Sequence, residues 1–311
     1  MSKLGFHVNA ITDPDKMYTV FTSCKPAVIK TLDHNADFWQ RVKLACPYTL
    51  LLGRLYVEQQ PLEHPKQEAM NLANRINCLE VSRIYDAWEG YNETPREQRE
   101  ARYVFDTAMA RELHKYGLKY CCGSWSVGVP DISDWWEQGM LDSLRASDYV
   151  SVHEYCAPTM NDPRGFSDHG STGWFTLRYR QWYPKLPLDC QKLLIISECG
   201  IDSGAAHWPV SFKGGWRSFA YPEEYLVELK WYDSWLMQDD YVAGACIYTW
   251  GTRDPQWDSW DIKGGMVDLL AEYIATHVVP PPSPMPTDLE RRVTAIEAKL
   301  YQISITLAST T

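Results

Sequence analysis

Residues 193–200 read LLIISECG, four bulky apolar residues in succession followed by a serine, a glutamate, a cysteine and a glycine. An unbroken apolar run this short, closed by a glycine, reads as a strand buried on both faces, which is the habit of parallel sheets. Glu198 stands where that strand ends. A second string, IYDAWEGYNE over residues 84–93, ends in the same way on Glu93. Working outward from these two, short apolar runs alternate with longer amphipathic stretches from residue 4 to about residue 278. That rhythm implies parallel strands joined by helices.

The strands are expected at Leu4 to Val8, Ala27 to Leu32, Thr49 to Val57, Leu79 to Trp88, Leu118 to Trp125, Tyr149 to Tyr155, Leu193 to Glu198 and Gly244 to Trp250. Eight strands close a (β/α)8 TIM barrel, so the fold class is α/β, with a barrel over residues 1–279. The clearest helices are His64 to Ile76, Thr94 to Tyr116 and Pro222 to Gln238. For the second, Thr94 is the expected cap, Pro95 the first helical residue and Gly117 the terminator. Irregular segments over residues 157–174 and 202–220 follow strands six and seven, on the face where such barrels keep their sites.

Composition changes at Pro280. Residues 280–287 contain PPPSPMP, an extended spacer, because consecutive prolines fix φ and cannot continue a helix. Residues 288–311 then carry a heptad seam, with Val293, Leu300 and Leu307 at a and Leu289, Ile296 and Ile303 at d. Leu or Val at a with Ile at d leans towards three or four strands, so a coiled-coil homotrimer is expected. A single amphipathic helix docked on its own barrel is the plainer alternative.

The 311 residues carry a formal net charge of -10, which provides no basic footprint for nucleic acid or an anionic membrane surface. Nine cysteines lie scattered without metal-type spacing and read as small buried hydrophobes of a reducing compartment. The start MSKLGFHVNA lacks an apolar core and a cleavage site, so no signal peptide is expected. A cytoplasmic chain, or one released by lysis and phage-associated, fits that reading. The 14 Trp and 19 Tyr crowd expected loops, among them Trp136, Trp174, Trp208 and Trp257, and some of these should line a surface.

Two glutamates held at separate strand ends suit the cleavage of glycosidic bonds, where one carboxyl donates a proton and another meets charge at the anomeric carbon. Glu89, inside the same string as Glu93, is the rival for its place. Here the chain resembles clan A of the glycoside hydrolases, whose barrels present an Asn-Glu pair after strand four and a second glutamate after strand seven. The resemblance implies that Glu93 is the general acid/base, Glu198 the nucleophile, and Asn92 a partner of the sugar 2-hydroxyl. It extends to VSVHEYCAP on strand six, implying roles for His153 and for Tyr155, whose hydroxyl would touch the nucleophile. YTWG on strand eight would make Trp250 the aromatic floor of the site.

Strands two and three depart from the patterns of several clan families, leaving Lys30, Asp33 and Arg54 as nearby candidates, with Arg54 chosen to hold Glu198 ionised. His7, Asn9 and Trp88 are further candidates for sugar contact. The expected activity is a retaining hydrolysis of β-linked oligo- or polysaccharide, with no metal and no organic cofactor. The alternatives are a muramidase-like cell-wall hydrolase and a catalytically silent, multivalent carbohydrate-binding barrel.

Overall fold

The computed structural model describes residues 1–161, 173–206 and 211–277. The proline-rich spacer and the heptad segment, 280–287 and 288–311, lie outside the described residues. Eight parallel strands close on themselves in chain order: β1 Leu4–Val8, β2 Val28–Thr31, β3 Leu50–Arg54, β4 Ala87–Glu89, β5 Tyr120–Trp125, β6 Tyr149–Ala157, β7 Leu193–Ala206 and β8 Val242–Trp250. The helices among the described residues are α1 Pro14–Cys24, α2 Ala36–Ala45, α3 Pro65–Asn77, α4 Arg99–Lys115, α5 Gln138–Ala146, α6 Pro222–Leu236 and α7 Gly265–Thr276. Between β6 and β7 the described residues form short 3-10 turns in place of an α-helix. No described helix is long and apolar enough to cross a membrane.

The floor of the barrel is sealed by Val28, Leu52, Ala87, Cys121, Ile195 and Cys246, one inward residue from each of six strands. One pleat higher the interior turns polar, with Lys30, Glu89, Ser151 and Ser197 all fully buried. Alternation along each strand therefore builds an apolar plug first and a charged layer above it. Cys121 belongs to the inner cluster and Cys122 to the outer core, so the adjacent pair points to opposite faces.

Three expectations need correction. Strand β7 does not end at Glu198 but runs on to Ala206, so residues 202–206 are strand and not irregular loop. The strand expected from Leu79 begins only at Ala87, because Glu80–Arg83 form a 3-10 turn that inserts Val81 into the core. Apolar spacing alone does not separate such a turn from a strand. The helix expected at Thr94 starts at Arg99, after a 3-10 turn over Arg96–Gln98. The Thr94 hydroxyl accepts instead from the buried Arg102 at 2.8 Å, and Arg102 also donates to Asp106 and to the Gly123 carbonyl. Gly117 does end the helix, at φ 71°.

Candidate active site

The register slips near the carboxyl ends of β5 and β8 and partway along β7, and each of these slips redirects a side chain. On β7, Ile196 pairs with Val152 but Glu198 pairs with His153, so Ser197 is an extra residue. This bulge turns Glu198 to the barrel interior, where strict alternation after Ile195 would have sent it to the helices. On β5, Gly123 pairs with Ser151 and Trp125 with Val152, leaving Ser124 as the extra residue at φ 54°. Gly123 itself sits at φ 100°, and a Cβ there would lie 2.3 Å from the Ser151 carbonyl oxygen, so glycine is required.

The third slip corrects the reading of Trp250. On β8, Phe6 faces Ile247 but Val8 faces Trp250, which pushes Trp250 out of the barrel. Its ring packs on Phe6 and Phe21 with centroids 5.4 Å away, in the layer between barrel and helix. Tyr248 takes the inward place, its ring centroid 4.9 Å from that of His7 and 6.4 Å from that of Tyr155. Trp88 also faces outward, fully buried against Tyr85 and donating its indole N–H to the Ser82 carbonyl. Gly53 makes room for that packing, since a Cβ on it would strike the Tyr85 ring at 2.2 Å. Neither tryptophan touches the site.

Glu198 is 6% exposed and ringed by donors. Its Oε1 lies 3.0 Å from Lys30 Nζ, 3.3 Å from Arg54 Nη1 and 3.5 Å from His7 Nε2. The Tyr155 hydroxyl donates to Oε2 at 3.0 Å, and His153 Nδ1 stands 3.6 Å from it. Burial alone would favour the protonated acid. His153, Lys30 and His7 outweigh it and hold the carboxyl well below the usual range. His7 is driven the other way, to about 4, because burial penalises its charged form despite Glu198.

Glu93 lies just beyond β4 with a side chain 40% exposed, at φ 47°, a conformation uncommon outside glycine. Its amide donates to the Ser124 carbonyl at 2.9 Å, and its Oε1 sits 2.8 Å from His153 Nδ1. Glu93 and Glu198 meet around His153, the three offering one atom each within 4.8 Å of one another. Lys30 and Arg54 already supply positive charge to Glu198, so the cluster reads as an ion-paired carboxylate and not as a metal seat. Asn92 Oδ1 accepts from Arg54 and, at 3.0 Å, from Ser124 Oγ. Asn9 reaches only the rim, donating to the Tyr248 hydroxyl at 3.4 Å.

Glu89 and Lys30 are named from the sequence without the roles they take, and Tyr248 and Ser124 are not named from it at all. Glu89, the rival acid, is fully buried beneath the site, with Oε2 2.9 Å from Lys30 and Oε1 accepting from Ser151 at 2.6 Å. Burial raises its carboxyl, but Lys30, Arg54 and His153 overcome that and bring it to about 2. Lys30 therefore bridges Glu89 and Glu198. A lysine placed two residues after an inward valine was the available signal, since period two puts both inside the barrel. Ser124 goes unnamed because no pattern announces a bulge.

The loop tryptophans divide. Trp125, Trp135, Trp182 and Trp216 are core residues, whereas Trp136 and Trp174 are exposed; Trp208 lies outside the described residues. Trp257 packs edge-on against Tyr248 at 5.8 Å.

The Lys30 bridge makes a specific prediction. In Lys30→Met two buried carboxylates lose their common counter-charge, costing about 3–5 kcal/mol in denaturant unfolding. The sign follows from Glu89, whose folded value of about 2 lies below the ordinary 4.5. The stabilisation is full above about pH 4.5 in the wild type and is lost as pH falls towards 2. In the variant that part of the stability profile flattens.

No protein-family model and no curated protein matches the chain. Several solved structures do match in fold. A family GH2 β-galacturonidase from Eisenbergiella tayi superposes with a TM-score of 0.60 at 12% identity, covering 91% of this chain and 52% of that one. A β-glucuronidase from Faecalibacterium prausnitzii gives 0.58 at 12%, covering 89% and 49%. A β-glucuronidase from Ruminococcus gnavus in complex with D-glucuronic acid gives 0.55 at 10%, covering 88% and 49%. The chain thus spans about half the length of these proteins. What the likeness establishes is the fold: an eight-stranded parallel barrel of the kind these glycoside hydrolases contain, as the clan A resemblance implied.

Proposed function

We propose that the chain is a retaining glycoside hydrolase of clan A acting on β-linked glycans, with Glu198 as nucleophile and Glu93 as acid/base. The observation that carries this reading is that one oxygen of each carboxylate lies within 4.8 Å of the other beside His153. Retaining pairs stand about 5–5.5 Å apart, whereas inverting pairs need about 6.5–9.5 Å to admit a water between them. The asymmetry of the pair supports the same assignment. Glu198 is buried and kept ionised by its neighbours, as a nucleophile must be, while Glu93 is open to solvent and so to leaving group and water.

In the first step Glu198 Oε attacks the anomeric carbon as its bond to the glycosidic oxygen breaks, and Glu93 gives its proton to that oxygen. In the second, Glu93 takes a proton from water, the water oxygen bonds to the anomeric carbon, and Glu198 departs as carboxylate. Asn92, held by Arg54 and Ser124 through its carbonyl, keeps its amide N–H groups for a sugar hydroxyl. Tyr248 offers the ring face beneath the sugar, whereas His7, expected to touch the sugar, is fully buried and meets Glu198 instead. Exposed Tyr56, Trp136 and Trp174, on loops after β3, β5 and β6, favour an extended substrate, because pyranose C–H faces stack on aromatic rings.

The test is product analysis over 4-methylumbelliferyl β-glycosides, polysaccharides and peptidoglycan. The panel includes β-glucuronides and β-galacturonides, which the printed names of the fold neighbours suggest. Release of a sugar with β configuration, followed by NMR before mutarotation, is the expected outcome. Binding across the panel without turnover would instead indicate the silent carbohydrate-binding barrel. Peptidoglycan as sole substrate would select the muramidase-like reading. Assembly as a trimer through residues 288–311 is part of the proposal; sedimentation of the full chain as a monomer at micromolar concentration removes it.

A further inference from the structure

We infer that Ser124 is a positioning residue that sets the tautomer of His153 and so keeps a proton on the Glu93–His153 pair. The inference rests on the activity proposed above and adds to it a residue from β5 that touches neither sugar nor water.

The argument is a count of protons along one chain of hydrogen bonds. Arg54 Nη1 has only hydrogens to give, so the Asn92 atom that meets it is the carbonyl Oδ1. Ser124 Oγ stands 3.0 Å from that same oxygen and must spend its single proton there. The 3.1 Å contact between Ser124 Oγ and His153 Nε2 is then a bond only if the ring nitrogen donates. Nε2 therefore carries hydrogen. On the other side of the ring, Nδ1 lies 2.8 Å from Glu93 Oε1, and one more proton is needed to join them. It resides either on Glu93, donating to a neutral ring, or on an imidazolium donating to a carboxylate. Both arrangements keep in place the proton that the leaving oxygen requires.

Ser124, His153 and Glu93 stand in the order of a serine-hydrolase triad, but nucleophilic chemistry does not follow. Ser124 is fully buried, and its proton is committed to Asn92, not to the imidazole. Its place is fixed by the bulge on β5, by the hydrogen bond its backbone N–H donates to Ser151 Oγ at 2.9 Å and by Arg102 holding the Gly123 carbonyl.

The titratable groups around the pair come from every neighbouring strand: Glu89 from β4, Tyr155 from β6, Glu198 and Asp202 from β7 and Tyr248 from β8. Lys30 from β2 and Arg54 from β3 face it with fixed positive charge. Glu198 approaches Nδ1, and Ser124 is the hydrogen-bond partner of Nε2 among the described residues. Without the serine hydroxyl a proton on Nε2 is buried with no acceptor. The ring then takes the Nδ1–H form, which satisfies an ionised Glu93 and releases the extra proton.

The test compares wild type, Ser124→Ala and Ser124→Gly. Glycine removes the hydroxyl while suiting the positive φ, so backbone strain and hydroxyl loss separate. In full-length protein labelled with 15N-histidine, the His153 signals are assigned by their loss in His153→Gln. The wild type should show hydrogen on Nε2 across the pH range, and both Ser124 variants should show it on Nδ1 at alkaline pH. An unchanged ring in both variants overturns the inference whether or not the chain is a hydrolase.

The kinetic arm uses phenyl and 2,4-dinitrophenyl glycosides of the sugar the wild type cleaves. Both variants should lose about 10²-fold or more in kcat/KM on the phenyl glycoside and little on the dinitrophenyl one, which departs without a proton. The alkaline limb of the phenyl profile should move to lower pH. Equal loss on both substrates indicates a merely structural serine and contradicts the inference. A wild type inert on the whole panel defeats the proposed activity instead, and leaves the NMR result to decide on the tautomer.

Discussion

Under the proposed mechanism, Glu198→Ala is expected to lower kcat/KM on the order of 10⁵-fold while leaving glycan binding in place, the scale of loss when a hydrolase is stripped of its covalent nucleophile. No neighbour can substitute. Glu89 is fully enclosed and paired with Lys30, and Glu93 is assigned to the acid/base step of the proposed mechanism. The removal also leaves Lys30, Arg54 and His7 facing a gap, so formate or azide placed there should restore part of the rate with an inverted product. Turnover within tenfold of wild type, measured on freshly purified variant, would remove Glu198 from the mechanism.

Glu93→Ala has the second largest effect, about 10²–10⁴-fold on substrates whose leaving group needs a proton. With a 2,4-dinitrophenyl leaving group the first step proceeds without help, and the glycosyl-enzyme accumulates because no base activates water. Azide needs no such base. It attacks the anomeric carbon in place of water and gives a glycosyl azide of retained configuration, faster than the variant hydrolyses. Loss of activity that is equal for all leaving groups and insensitive to azide would assign Glu93 a structural place. His153 enters this step as well, since its 2.8 Å bond orients the Glu93 carboxyl.

The barrel was legible because buried parallel strands announce themselves as apolar runs, and eight such runs admit few closures. All eight strands form where the runs lie, with large errors at Leu79, where a 3-10 turn copies the apolar spacing of a strand, and at the end of β7, which runs past Glu198 to Ala206. The two carboxylates were legible as strand-end residues, and so were His153 and Tyr155, which share a face by period two. Period two failed at the bulges. Trp250 points outward because β8 gains a residue against β1 after Ile247, while Tyr248 keeps the inward face it shares with Cys246, and Ser124 enters the site because β5 gains one against β6. An extra residue leaves no mark in composition or spacing, so the aromatic floor was assigned one register step away from the side chain that provides it. Trp88 failed for a simpler reason, since its outward position and the space left by Gly53 belong to packing between strand and helix.

The central claim is that Glu198 bonds to the sugar. A 2-deoxy-2-fluoro β-glycoside of the cleaved sugar, carrying a 2,4-dinitrophenyl leaving group, slows the second step more than the first and traps the intermediate. Peptide mass spectrometry of the inactivated protein should then find one added fluorosugar on Glu198 within LLIISECG. A label on Glu93 or Glu89, or an unlabelled protein that still hydrolyses the parent glycoside with inversion at the anomeric carbon, would contradict the account.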